Sequence, residues 1–418
     1  KAAKDVDAAV SAGKDPGPLA GVPAGLKDII DAAGLPTTAG SLIDKDRVPA
    51  GDAPLTRRLR AAGAVILGKL NMHEYAFGPT GHNPHYGDQK NPWNPAHVTG
   101  GSSGGSGNAV SSGQAPVTVG SDTGGSIRYP AALCGVMGLK TTFGLVGKAN
   151  CVPCSWSLDT FGPLALTAED CALAMTAMAG YEPADPCSVN RPAPDFIGAL
   201  ERPLKGFRIG HARSLYADRS EPFITKAVDE AARAFTDAGA EVTEIEIPQY
   251  EQVFEAAINI LMSEVAAFHE KHIRERPGDM DPYIVERIQT GCFVPATAYI
   301  QALRFRSQWT ELLLREVYSK ADGLLFATVP MAAPRRDADK VTLLGKEVDA
   351  RLGLTWFSRL ANFSGGPAAC FPVGFSPEGL PLGAQLMGAP FDDHRMLAAV
   401  HQLEKTGAIR AVRAPFEG

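Results

Sequence analysis

Residues 100–126 read "GGSSGGSGNAVSSGQAPVTVGSDTGGS". Glycine and serine at this density make a flexible linker when nothing around them commits to structure. Here strand-like "APVTV" lies inside the run, and "IRYPAALCGVMGLK" (127–140) follows it directly. The reading of this run therefore decides between slack chain joining two units and a shaped loop within one fold. A phosphate-binding loop would need Gly-x-x-x-x-Gly-Lys-Ser/Thr between strand and helix, and no Lys-Ser/Thr pair follows these glycines. A nucleophile elbow is a third reading, since "GGSSG" (100–104) and "GSSGG" (101–105) both satisfy Gly-x-Ser-x-Gly. An elbow needs a strand just before its serine, and "NPWNPAHVT" (91–99) carries two prolines that fit a central strand badly. Its acid and base partners would come later; His211, His269, His272, His394 and His401 are available but sit in no recognisable context. A fourth reading joins both serine clusters to "LAGVPAGLKDIID" (19–31).

Outward from the run, strand-like and helix-like segments alternate. "APLTRRLRAAG" (53–63) has helical spacing and a glycine stop, and "AVILGKL" (64–70) is a short β-rich run. "QAPVTVGSD" (114–122) reads as a strand, and "LTAEDCALAMTAMAG" (166–180) as a helix capped by Thr167. "KGFRIGHA" (205–212), "EPFITKAVDEAARAFTDAG" (221–239) and "AEVTEIEIP" (240–248) read strand, helix, strand. From Tyr250 to about Lys320 the pattern is helical; "GLLFATVP" (323–330) is strand-like, and "KVTLLGKEV" (340–348) reads as a polar looped stretch. "PAACFPVGF", "GLPLGAQLMG" and the helix "DDHRMLAAVHQLEKTG" close the chain. This order predicts an α/β layered fold with helices covering a largely buried sheet. No tether-like segment interrupts it, so residues 1–418 are expected to form one domain. Its parts are a core at about 19–215, a mainly helical substrate-shaping segment at about 220–350, and a C-terminal α/β part at about 355–418.

The formal charge of −6 and pI near 5.9 give no global pull toward nucleic acid or anionic lipid. No 18-residue apolar stretch is present, so no membrane span is expected. Seven scattered cysteines, an odd number, read as free thiols of a reducing cytoplasm. "CVPC" (151–154) has neither a second pair nor a nearby histidine and reads as chance spacing. His73, His82, His85 and His97 crowd the approach to the glycine run without ligand spacing, so no metal and no cofactor is expected. The chain begins at Lys1 without methionine, and the true N-terminus is expected upstream.

"GVPAGLKD", "GGSSGGSGNAV" and "GSDTGGSIRYPAALCGVMGLK" together resemble the amidase signature family, serine hydrolases with a Ser–Ser–Lys triad. The resemblance extends to "GKLNMHEYAFG", "NPWNP", "SWSLDTFGPLA" and "NFSGGPAACFP…GLPLGAQLMGAPFDD". It implies an α/β fold with a central twisted mixed β-sheet covered by α-helices on both faces, and it implies that Ser126 is the nucleophile, Ser102 the bridging serine on a cis peptide, and Lys27 the base. It also implies an oxyanion hole from the backbone N–H groups of Thr123, Gly124, Gly125 and Ser126. Ser103, Asp122 and Arg128 match positions that brace these loops. Ser106, Ser111, Ser112 and Ser121 read as packing or capping residues.

The chemistry suits those residue types. Serine is a weak nucleophile until a base takes its proton. Lysine can be that base only when neutral, and its ordinary pKa is about 10.4. Bringing it near 7 takes about three units, about 4 kcal/mol, which burial in a run such as "VPAGLKDII" can supply. Alone, Lys27 would read more readily as a strand-end lysine paired with Asp28; beside the two serine motifs it reads as the base. The reaction implied is attack on a carboxamide of a small molecule, loss of ammonia or an amine, and hydrolysis of the acyl-enzyme. Neither direct nucleic-acid contact nor membrane is expected, and a homodimer is compatible. The alternative within the family is the glutamine-hydrolysing component of a tRNA-dependent amidotransferase, which would require partner subunits. Tyr129 after "GGSIR" and "ATVP" (327–330) depart from that component's pattern, while Asp392 with Arg304 and Arg306 would suit a glutamine clamp. An inactive binding relative is a third class, opposed by three occupied triad positions. Tyr75, Phe77, Tyr129 and Trp156 are the candidates to line an acyl pocket.

Overall fold

Short apolar runs bounded by glycine and polar turns fold into strands that are buried on both sides. The computed structural model describes residues 1–415. Its strands are β1 (Pro23–Lys27), β2 (Val65–Leu70), β3 (Val117–Asp122), β4 (Met137–Lys140), β5 (Thr160–Ala165) and β6 (Arg208–His211). They continue as β7 (Glu241–Glu244), β8 (Gly323–Ala327), β9 (Lys340–Leu343), β10 (Lys346–Asp349), β11 (Ala368–Phe375) and β12 (Pro381–Gly388). Ten of them form one mixed sheet in the order β2-β1-β3-β5-β4-β11-β12-β8-β6-β7, so each of the three parts read from the sequence contributes strands. β1 runs parallel to both β2 and β3, whereas β3 is antiparallel to β5. Every residue of β3, β4, β5 and β8 is buried, as a sheet flanked by helices requires. The fold is α/β, with a large mixed sheet flanked by helices.

Between β7 and β8 in the chain come three helices, Tyr250–Glu275, Pro282–Gly291 and Ala296–Glu316, of which the first packs against both others. Val253, Ala257, Ile260, Leu261 and Val265 recur at helical spacing and are the buried stripe of the first. Asp281 caps the second by accepting from Tyr283 N–H, with Pro282 at its first position. The stretch 340–348, expected as a loop, is instead a β-hairpin, with Lys346 opposite Leu343. Its two-residue turn is Leu344-Gly345, both at positive φ (50° and 76°). Leucine stands where asparagine or aspartate usually signals such a turn, which hid it from the pattern. Among the described residues no helix is long and apolar enough to cross a membrane. All seven cysteines are free.

Candidate active site

Lys27 ends β1, an inner strand with β2 on one side and β3 on the other, so its side chain has no route to water. Its Nζ lies 2.6 Å from Ser102 Oγ and 2.8 Å from Ser121 Oγ. Among the described residues no carboxylate pairs with it; the adjacent Asp28 turns to Lys69 Nζ at 2.9 Å. Burial lowers the Lys27 pKa to about 7, against the weaker upward pull of Cys154, Asp159 and Asp122. The alternative of a surface lysine paired with Asp28 is therefore not what the fold builds.

Ser102 is fully buried and follows a cis Gly101–Ser102 peptide. Gly101 N–H donates to Pro79 O at 2.6 Å, and a Cβ on Gly101 would lie 2.6 Å from Gly81 N. Only glycine fits that approach. Ser103 then ties the run to the sheet: its hydroxyl donates to Ser121 O at 3.1 Å and accepts from Ser121 N–H at 3.2 Å. Ser103 N–H also donates to Ser126 O at 3.2 Å, which joins the two serine loops directly. The glycines are thus bent backbone, not slack.

The Ser126 loop hangs on Asp122, the last residue of β3. The Asp122 carboxylate accepts from Gly125 N–H (2.8 Å), Ile127 N–H (3.2 Å), Arg128 Nε (3.0 Å) and Nη2 (3.0 Å), and Asn362 Nδ2 (3.0 Å). Burial alone would raise its pKa; Arg128 and Asn362 outweigh that and hold it at about 2. Arg128 continues to Ser358 O and Gln385 Oε1, so strand, loop and C-terminal part meet on one ion pair. Gly125 has φ 131°, and a Cβ there would sit 2.1 Å from the Tyr129 ring. Gly125 N–H is committed to Asp122, whereas the N–H groups of Thr123, Gly124 and Ser126 have no hydrogen-bond acceptor among the described residues. Thr123 Oγ1 donates to Asp159 Oδ1 at 2.6 Å.

Ser126, Gly124 and Thr123 border a cavity of about 370 Å³ whose walls include Phe77, Tyr129 and Cys154. Tyr129 lines it and also pins the loop, its hydroxyl bonding Gly124 O and Ser358 Oγ. Two of the four expected pocket aromatics are elsewhere. Tyr75 is buried with its hydroxyl on Asp44 at 2.8 Å and its ring 4.2 Å from that of His269. Trp156 is 45% exposed and borders a separate cavity with Cys151 and Phe161. The expected glutamine clamp does not border the Ser126 cavity either. Arg306 is spent on the carbonyls of Phe363 and Ser157, Asp392 pairs with Arg395, and Arg304 is exposed.

Several residues carry more than the sequence pattern assigns them. Ser121, expected only to pack or cap, holds Lys27; the available signal is its place on the strand that ends at Asp122. Cys154 belongs to the cavity wall, not to a redox or zinc pair. Arg287 and Arg359 also line the cavity and sit in no motif at all. No hydrogen bond joins the hydroxyls of Ser102 and Ser126 in this arrangement, although Ser103 N–H holds their two loops together. A buried amine that is half neutral near pH 7, hydroxyls around it, and unfilled N–H donors in a loop that borders a cavity are equipment for acyl transfer through an alkoxide.

Comparison with known proteins gives that equipment a class. The Amidase family model matches residues 1–397. The chain is 39% identical over 396 residues to the AtzE component of 1-carboxybiuret hydrolase from Pseudomonas sp. (strain ADP), covering 94% of this chain and 85% of that one. It is 37% identical over 414 residues to the A component of glutamyl-tRNA(Gln) amidotransferase from Thioalkalivibrio sulfidiphilus (strain HL-EbGR7), covering 93% and 84%. A solved chain from a vestigial protein complex, described as revealing the origins of an s-triazine catabolic enzyme, superposes with TM-score 0.94 at 36% identity. That match covers 98% of this chain and 89% of the other. The protein is an amidase, a hydrolase of linear C–N bonds. It belongs to the amidase signature family.

Proposed function

We propose that the protein hydrolyses a carboxamide through an acyl-enzyme on Ser126, with Ser102 as proton relay and Lys27 as base. The carrying observation is that Lys27 Nζ, wholly buried, meets two hydroxyls and no carboxylate. An ion pair there would lock the proton on; hydroxyl neighbours leave it free to move. Neutral Lys27 draws the Ser102 proton as Ser102 takes that of Ser126, and Ser126 Oγ attacks the carbonyl carbon. The oxygen that becomes negative meets the unfilled N–H groups of Gly124 and Ser126, joined by that of Thr123. Each such donor is typically worth about 3 kcal/mol in the transition state. The Ser102 proton passes to the leaving nitrogen as Lys27 returns its proton to Ser102, the C–N bond breaks, and water, activated by the again neutral Lys27, repeats the sequence to release a carboxylic acid. The Ser102–Ser126 bond forms when substrate seats Ser126, as catalytic contacts often tighten only in the complex.

Replacing Ser126 by Ala tests this. Hydrolysis of every amide the wild type accepts is expected to fall at least 10³-fold with unchanged circular dichroism and melting temperature. Turnover within tenfold of wild type would remove Ser126 from the chemistry. A second reading, the glutaminase component of a tRNA-dependent amidotransferase, is supported by the 37% relative. Glutamine hydrolysis that appears only with partner proteins would select it; turnover of small amides by the isolated chain selects the stand-alone enzyme.

A further inference from the structure

The geometry points to a substrate that carries a carboxylate, held by Arg359 and Arg287 in the cavity beside Ser126. This rests on the hydrolytic reading above. Both arginines border the same cavity as Ser126, one from each of two helices remote in sequence. Arg359 is 7% exposed. Its Nη2 donates to a neutral acceptor, Thr355 Oγ1, at 3.1 Å, and its Nε is buried without a partner among the described residues. Arg287 Nη1 donates to Phe77 O at 2.9 Å, and its guanidinium lies 3.9 Å over the Phe77 ring. Among the described residues neither guanidinium meets a carboxylate within salt-bridge distance. The acid that acts on Arg287 from afar, Asp349, is occupied capping the N–H groups of Arg351 and Leu352.

Buried Arg128 and half-buried Arg306 behave differently. Arg128 is paired with Asp122, and Arg306 is filled by main-chain carbonyls. Leaving a buried cation unpaired is strongly unfavourable, so buried Arg359, with half-buried Arg287 beside it at one cavity, wants an anion from outside. Burial disfavours the charge on both, and Arg287 adds repulsion on Arg359. An arginine cannot relieve this by giving up its proton at neutral pH, so a ligand must. Arginine's planar fork matches a carboxylate, and the two guanidinium groups share the cavity into which an amide held at Ser126 would extend. The class is therefore carboxylated amides, for which malonamate and succinamate are simple probes.

The test compares kcat/KM on the full chain for malonamate and succinamate with their uncharged counterparts propionamide and butyramide. A preference of at least 100-fold for the carboxylated member of a pair is expected. R359Q should lose at least 50-fold on succinamate, mostly through KM, and R359K should recover part of that loss. Independently of turnover, S126A should bind succinate saturably in calorimetry, and S126A/R359Q should not. Equal turnover of charged and neutral amides, with no saturable succinate binding by S126A, overturns the inference while leaving the amidase reading intact. Succinate binding with no amide hydrolysed does the reverse. Inorganic phosphate binding S126A more tightly than succinate would make this a site for a free anion and overturn the substrate assignment. The wild-type comparison needs no variant, so a poorly folding R359Q cannot rescue the idea.

Discussion

Lys27 depends on what is kept away from it. Asp28, its neighbour in sequence, is drawn off by Lys69, and the acids that act on it through space, Asp159 and Asp122, are each held by other partners. Two consequences belong to this residue. kcat/KM should rise with pH through about 7 as Lys27 loses its proton, then level off. A profile flat from pH 6 to 9 would contradict a lysine base. Ser121 makes the second consequence. Its hydroxyl oxygen accepts from Lys27 Nζ and so favours the ammonium form. Ser121→Ala should move the rising limb to lower pH by about one unit, since a hydrogen bond to a charged group is worth about 1.5–3 kcal/mol and Ser102 already makes its own bond to Nζ. The pH–kcat/KM profile of the variant checks it; an unmoved rising limb would show that Ser121 does not bear on the base.

At the level of elements, the Ser126 loop is held because β3 ends on a charge. Asp122 gathers two loop N–H groups and the Arg128 fork, and Arg128 reaches on to the segment around Ser358. Removing one partner of such a pair leaves an uncompensated buried charge, about 3–5 kcal/mol. Arg128→Met is expected to lose about that much in urea unfolding and to abolish activity with it; a loss under 1 kcal/mol would mean the pair is dispensable. These local motifs are legible in the sequence because their residues are close together and their glycines have one steric purpose. Lys27, Ser102 and Ser126 lie in short ordered stretches, and Gly101 and Gly125 mark where backbone approaches backbone or ring. The hairpin at 340–349 is hidden by a leucine in its turn. Tyr75 and Trp156 lie away from the cavity, and Arg287 and Arg359 line it unannounced, for a different reason. Which side of a helix or loop faces a cavity depends on how the helical middle packs on the sheet, and spacing alone does not contain that.

Across the whole molecule, the site sets a pH dependence of stability. Lys27 has its pKa lowered to about 7 in the fold, and in the unfolded chain it returns to about 10.4. Between those values the unfolded state holds a proton that the native state lacks, so stability rises with pH, by about 1.4 kcal/mol per unit. Below pH 7 both states are protonated and the full penalty of the buried ammonium is present. Other groups tilt the same curve. Lys140, lowered to about 7 by burial and by Arg128, adds a rise of the same sign. Buried thiols oppose it. Cys134, Cys154 and Cys370 are pushed up by burial, so only the unfolded chain ionises them above about 8.5, and stability falls there. The wild-type curve alone is therefore a sum of opposed slopes. The difference between wild type and Lys27→Met cancels every term except that of Lys27. In urea unfolding at pH 7.5 and pH 9.5, wild type should gain on the variant by about 2–3 kcal/mol between the two conditions. A difference that stays constant across that range would mean Lys27 keeps its proton in the fold, and with it the base proposed for Ser126 would be lost.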